Sequence, residues 1–294
     1  MRPQVIIVAT LLLSGTLFAV NLVVAIASGS RAVLAQAIFT LTDLVGGGLL
    51  LWGLHLSRRP ASHEYPFGRG KERFFWAFVS IVVTFTVAGV LALTEGIDQI
   101  VSPAPLSHLG EALLVVGATI VVSVLSIWVT MRELRIGRVT LASLLESANQ
   151  GLKAIFYQDL VSIVGSVVAF GGILVVYQTG RPIADGISAA VEGILLIATG
   201  FVLTAESREY LIGKALAPEN ARAMLAVVER NPSVARVRSL QSMLLGPDDA
   251  LLALRINFQD GMTTDQLEVA IDQVTLALRT SYPMLRHIII EPES

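Results

Sequence analysis

Two acidic residues, Asp43 and Asp159, lie inside apolar stretches that are each long enough to cross a bilayer. An ionised carboxylate near the membrane centre costs at least ~2.5 kcal/mol on insertion scales, so such residues normally face a protein interior or a water-filled path. Carboxylate oxygens in such a place can bind a cation or a proton. We therefore take both residues as candidates for a cation site. The alternative is a helix–helix hydrogen bond or a carboxyl group that burial keeps neutral.

The composition indicates an integral, multi-pass membrane protein. Of the 294 residues, 54% are hydrophobic and only 15% are charged, whereas a soluble domain is about 25% charged. The net charge of -2 offers no bulk attraction to nucleic acid, and the absence of cysteine excludes disulfides and thiolate metal sites. Because no nucleophile–base constellation or phosphate loop is recognisable, we do not expect an enzyme.

Six apolar runs of about 20 residues predict six transmembrane helices. Lysine and arginine are concentrated in the connections after the second and fourth runs, which by the positive-inside rule places both termini in the cytoplasm. Those connections carry Arg58, Arg59, Arg69, Lys71, Arg73, Arg132, Arg135 and Arg138. The predicted spans are Val5–Ala27, Ala32–Leu56, Phe74–Leu93, Glu111–Met131, Leu152–Tyr177 and Ile183–Ala205.

The pattern changes near Glu206, so we predict a transmembrane domain over 1–205 and a cytoplasmic domain over 206–294. Alternating apolar residues indicate strands, and Thr263 with Gln266 has the spacing of a capping box that opens a helix. The predicted order is αββαβ, a small α+β domain of ferredoxin-like type. Its predicted elements are a helix over Ala221–Glu229, strands over Val234–Leu245, Ala250–Phe258 and Leu285–Ile290, and the helix after Thr263.

The order and spacing of several short motifs resemble the cation diffusion facilitator family along nearly the whole chain. The match is greatest with the subgroup that contains the ninth mammalian zinc transporter and its bacterial relatives. The motifs are Gly29–Ala35, Ser57–Pro60, Tyr65–Glu72, Gln158-Asp159, Glu206–Arg208 and Leu211–Gly213.

This resemblance implies a homodimer, with the cytoplasmic domain over 206–294 as its dimerisation domain, in which each protomer exports a divalent metal ion from the cytoplasm in exchange for protons. Zinc, manganese or iron would be the substrate, and no resident cofactor is expected. The implied location is a bacterial inner membrane. The alternative is a family member that has lost efficient transport and serves as a membrane scaffold or a heterodimer partner.

The family's transport site pairs two ligands, four residues apart, on span two and again on span five. Asp43 and Asp159 match the second position of each pair, whereas Phe39 and Ile155 occupy the first positions and cannot bind a metal. Two carboxylates with added oxygens would form a harder site than the usual zinc site. The predicted ligands are Asp43, Asp159, Thr40 and Gln158, although Gln158 points about 100° away from Asp159 on an ideal helix.

Five further polar residues lie in the predicted spans. Asn21, Gln36 and Thr42 are predicted to form hydrogen bonds between helices. Glu192 is a replacement ligand, a proton carrier or a structural acid, and the sequence leaves these roles open. Asp185 is predicted to cap the start of the sixth span.

Overall fold

The computed structural model describes residues 3–136 and 150–293. Arg138, one of the basic residues used to orient the spans, lies outside these ranges. The chain forms two compact units. One holds the described residues up to Gly53 together with those of Phe75–Ser207, and the other holds Leu54–Phe74 and the described residues from Arg208 onward.

The first unit is built from long apolar helices. In the part that the structure describes, four helical segments are long and apolar enough to cross a membrane: Arg31–Ser57, Glu72–Val101, Phe156–Thr179 and Ile183–Ile212. Two apolar segments, Ser14–Ser28 and Leu109–Leu125, are shorter. The helices are α1 (Pro3–Ser28), α2 (Arg31–Ser57), α3 (Glu72–Ile81), a π-helix (Val82–Val87), α4 (Ala88–Val101), α5 (Leu109–Ile136), α6 (Gln150–Thr179) and α7 (Ile183–Ile212).

Threonine hydroxyls join α2 to the π-helix. The Thr42 hydroxyl donates to the Thr84 carbonyl at 3.3 Å, and the Thr84 hydroxyl donates to the Thr42 carbonyl at 3.2 Å. The prediction that Thr42 bonds between helices is therefore confirmed. The same prediction for Asn21 is wrong, because its buried amide has no hydrogen-bond partner within residues 3–136 and 150–293.

The second unit contains the predicted αββαβ order: α8 (Pro218–Glu229), β1 (Val234–Gly246), β2 (Asp249–Phe258), α9 (Thr264–Ser281) and β3 (Leu285–Glu293). The sheet order is β1-β2-β3, with β1 antiparallel and β3 parallel to β2. Leu252, Leu254 and Ile256 alternate along β2 as fully buried residues, as a half-buried strand requires. Helix α8 begins three residues before the predicted start because Pro218 occupies the first turn, where its missing N–H costs nothing.

The capping box that opens α9 is present as predicted. The Thr263 hydroxyl accepts from the Gln266 N–H at 3.3 Å, and the Gln266 side chain accepts from the Thr263 N–H at 2.9 Å. Thr263→Ala should weaken the first turn of α9 by ~1 kcal/mol, which makes its amides exchange about five times faster with deuterium. Thr280→Ala is the matched control, because that exposed hydroxyl only bonds back to the Leu276 carbonyl. Equal exchange in the two variants would contradict the role given to the cap.

Candidate metal site and a second buried acid

Asp43 lies where three helices of the first unit meet. Its Oδ2 accepts a hydrogen bond from the Ser14 hydroxyl of α1 at 3.2 Å. The side chain of Gln158, on α6, also hydrogen-bonds to Asp43. Of the predicted ligands, the structure thus brings Asp43 and Gln158 together. Gln158 is the residue directly before Asp159 on α6.

A second contact fixes how α2 and α6 are aligned. The Ser166 hydroxyl of α6 donates to Gln36 of α2 at 3.3 Å. Asp43 follows Gln36 by seven residues, and Asp159 precedes Ser166 by seven residues. Seven residues are nearly two helical turns, or about 10.5 Å along the axis. Because the Gln36–Ser166 and Asp43–Gln158 contacts require antiparallel helices, Asp43 and Asp159 lie at the same level.

Thr40 lies one turn before Asp43 and is buried. Its hydroxyl donates to the Gln36 carbonyl of its own helix at 2.7 Å. This bond uses the hydroxyl proton and leaves the oxygen as an acceptor. Thr40 can therefore offer its oxygen to an ion beside Asp43 while it keeps this hydrogen bond within the helix.

Apolar packing fills one of the two positions where the resemblance leads one to expect a ligand. Phe39 is buried in a cluster with Phe85, Val161 and Leu196, among others, and its ring centroid lies 6.3 Å from that of Phe85. Among the residues that the structure describes, no group of three or more histidine, cysteine, aspartate or glutamate side chains is arranged to hold a metal ion. Among the described residues, the further ligands of a site at Asp43 and Asp159 would be oxygens from amides, hydroxyls or water.

Asp185 caps a helix, but not the predicted one. It lies in the first turn of α7, yet its carboxylate accepts hydrogen bonds from the Ser30 hydroxyl at 2.5 Å and from the Arg31 N–H at 2.6 Å. The Ala32 N–H also points at it, at 3.4 Å. These groups belong to the start of α2, whose first N–H groups have no partners within the helix. The prediction that Asp185 caps its own span is wrong.

Glu192 lies two turns after Asp185 on α7 and is 2% exposed. Its Oε1 accepts from the Gln36 amide at 2.7 Å, which confirms that Gln36 bonds between helices. Gly165 of α6 makes room for this acid, because a Cβ there would lie 3.2 Å from Oε1. The second oxygen, Oε2, is buried without a hydrogen-bond partner in the described parts of the chain. The acid is therefore only half satisfied.

Close packing near Asp43 depends on Gly46. A Cβ at Gly46 would contact the Thr84 hydroxyl and lie 2.8 Å from the Ser80 hydroxyl, whereas a Cβ at Gly48 meets nothing within 4 Å. Gly46→Ala should therefore destabilise the protein by ~1–3 kcal/mol through overpacking. Gly48→Ala should be neutral or slightly stabilising. Chemical unfolding of both variants in detergent tests this difference, and an equally stable Gly46→Ala protein would contradict the close contact.

Comparison with known proteins identifies the helical region. The family model described as the cation efflux transmembrane domain matches residues 6–212. Metal tolerance protein C4 of Arabidopsis thaliana is 25% identical over 240 residues, which are 80% of this chain and 52% of that protein. The human mitochondrial protein named proton-coupled zinc antiporter SLC30A9 is 23% identical over 274 residues, which are 88% of this chain and 48% of that protein.

A bacterial relative is matched over more of its length. The cation-efflux pump FieF of Klebsiella pneumoniae (strain 342) is 24% identical over 259 residues, which are 87% of this chain and 81% of that protein. By contrast, the chain spans about half the length of the plant and animal proteins. The three relatives carry names that refer to metals or cations.

Proposed function

The chain belongs to the cation efflux family, and we therefore propose that it is a multi-pass membrane transporter, not an enzyme, that exports a divalent metal ion from the cytoplasm in exchange for protons. Zinc, manganese or iron is the substrate, and there is no resident cofactor. The observation that carries the proposal is the pair of contacts between α2 and α6, Gln36–Ser166 and Asp43–Gln158, from which we infer that Asp43 and Asp159 lie at one level inside apolar helices.

The chemistry of the site follows from its two carboxylates. Both must be ionised to bind a divalent ion, since metal ligands are deprotonated and protons compete with the metal. Thr40 and Gln158 add neutral oxygens, so the site favours ions that accept oxygen ligands. Protons that enter from outside displace the metal, which couples the two fluxes.

The topology of the proposed transporter has six spans, with both termini in the cytoplasm. Four helical segments of the described chain that are long and apolar enough to cross a membrane, with two shorter apolar segments, support this topology, and the basic connections after predicted spans two and four support the orientation. The bacterial relative FieF supports a bacterial inner membrane. The small α+β unit is proposed to dimerise the protein, forming a homodimer.

Metal uptake into vesicles tests the function directly. Purified protein in proteoliposomes, with a metal-sensitive dye inside, should take up zinc, manganese or iron when the lumen is more acidic than the bath. Empty liposomes are the control for leakage. If none of the three ions enters faster than into empty liposomes at any imposed pH gradient, the proposal is contradicted.

A transport-impaired scaffold is the second candidate, favoured by the burial of Phe39 in an apolar cluster where the family places a ligand. Calorimetric titration of the purified protein with the same three ions discriminates between the two. Micromolar or tighter binding that disappears in Asp43→Asn supports a transporter, and an absence of binding supports the scaffold.

A further inference from the structure

Glu192 is an acid that the metal site does not use. It is buried in α7, a helix that is long and apolar enough to span a membrane. Its only hydrogen bond within residues 3–136 and 150–293 comes from the Gln36 amide, and Oε2 has none. A buried polar atom without a partner is costly. A buried carboxyl group with one unpartnered oxygen is suited to bind and release a ligand reversibly. Because Oε2 has free lone pairs, that ligand can be a proton.

The hydrogen bonds of Gln36 tie this acid to both helices of the metal site. Gln36 donates to Glu192, and it accepts from Ser166. Gln36 lies on α2 two turns before Asp43, and Ser166 lies on α6 two turns after Asp159. A change in the charge of Glu192 alters the hydrogen bond with Gln36, and the same amide transmits the change to both helices.

The charged groups around Glu192 leave it without a counter-ion. On its own helix, Asp185 lies two turns away and caps α2. From α2 and α6 the groups that face it are the Gln36 amide and Gly165. On α4, which also packs against α7, Glu95 and Asp98 pair with Arg31. In the described ranges, no cation hydrogen-bonds to Glu192, so a proton is the species that removes its charge.

We propose that Glu192 is the proton-binding residue of this transporter, placed about 10 Å from the level of Asp43 and Asp159, on the side of Asp185. The proposal rests on the proposed function. The proton enters from the Asp185 end, which the positive-inside rule puts outside the cytoplasm, and forms an O–H bond on Oε2. Release toward the cytoplasm breaks that bond and restores the carboxylate, so that one proton moves inward as the metal moves outward.

The first test compares flux in wild type and Glu192→Gln in the same proteoliposomes. The variant should bind metal with an affinity within about threefold of wild type. Its uptake should no longer respond to the pH gradient, whereas wild type is expected to respond at least ~10-fold. Glu95→Gln, a variant of a membrane-helix acid that pairs with Arg31, should keep the full response. An undiminished response in Glu192→Gln would overturn the proposal, and so would loss of metal binding, since that would make Glu192 a ligand.

The second test does not depend on transport. Infrared difference spectra of the purified protein between acidic and alkaline pH should contain a carboxylic-acid C=O band that disappears in Glu192→Gln and changes frequency in Glu192→Asp, which keeps a carboxyl group. This readout decides the inference even if wild type moves no metal, a result that would reject only the proposed function. A carboxylic-acid band that persists unchanged in Glu192→Gln, or the absence of any such band that depends on residue 192, would overturn the inference.

Discussion

Asp43→Asn and Asp159→Asn are each expected to reduce metal uptake by at least ~100-fold. Changes to residues that only support metal ligands already cost 10–100-fold, and these substitutions remove the charge of a proposed ligand itself. Asparagine keeps the size of the side chain and can still bond to Ser14 or Gln158, so the loss should reflect charge and not packing. The measurement is initial uptake into proteoliposomes at matched protein density.

Asp98→Asn is the matched control for these two variants. Asp98 is also an aspartate in an apolar helix, but it is largely exposed and pairs with Arg31 at 3.2 Å. Its uptake should stay within about twofold of wild type. If Asp43→Asn and Asp159→Asn both transport as well as Asp98→Asn, neither acid is a ligand.

Asp185→Ala should have the largest effect on stability. The substitution leaves the Ser30 hydroxyl and the first N–H groups of α2 without their acceptor, and each unsatisfied buried donor costs ~1–3 kcal/mol. We expect a loss of at least ~3 kcal/mol in the free energy of unfolding, measured by chemical denaturation in detergent.

Asp185→Asn supplies the graded comparison, because its amide oxygen still accepts from the Ser30 hydroxyl or the Arg31 N–H. It should lose less stability than Asp185→Ala. Asp98→Asn should change stability by less than ~1 kcal/mol, as is usual for exposed ion pairs. A stability of Asp185→Ala equal to that of wild type would show that the carboxylate does not hold the start of α2.

The elements of the second unit could be read from the sequence because their signals are local. The alternation along β2 and the Thr263–Gln266 spacing each lie within ten residues. The start of α8 was misplaced because Pro218 reads as a helix stop when it follows an apolar run, although proline fits a first turn equally well.

The site was less predictable because it depends on contacts between distant parts of the chain. The carboxylate of Asp185 reaches a helix that begins 154 residues earlier in the sequence, and a cap of that kind leaves no local pattern. Ser14, which bonds to Asp43, looks like any small polar residue in a span. The interhelical role of Gln36 could be predicted, but the identity of its partners could not.

One pattern in the sequence pointed to Glu192. Three helices each carry two polar residues that are seven residues apart: Gln36 and Asp43 on α2, Asp159 and Ser166 on α6, and Asp185 and Glu192 on α7. A seven-residue spacing repeats one helix face. Three such polar pairs in apolar helices indicate a polar seam through the helical unit. The sequence does not reveal how the three helices are aligned, which the Gln36–Ser166 and Gln36–Glu192 bonds show.

The most direct test of the account is a density map of the protein loaded with manganese or zinc, with the metal identified by anomalous scattering. We predict one peak at ~2.0–2.6 Å from a carboxylate oxygen of both Asp43 and Asp159, with Glu192 outside the coordination sphere. A metal bound elsewhere, or carboxylates of Asp43 and Asp159 that face lipid on separate surfaces, would contradict it.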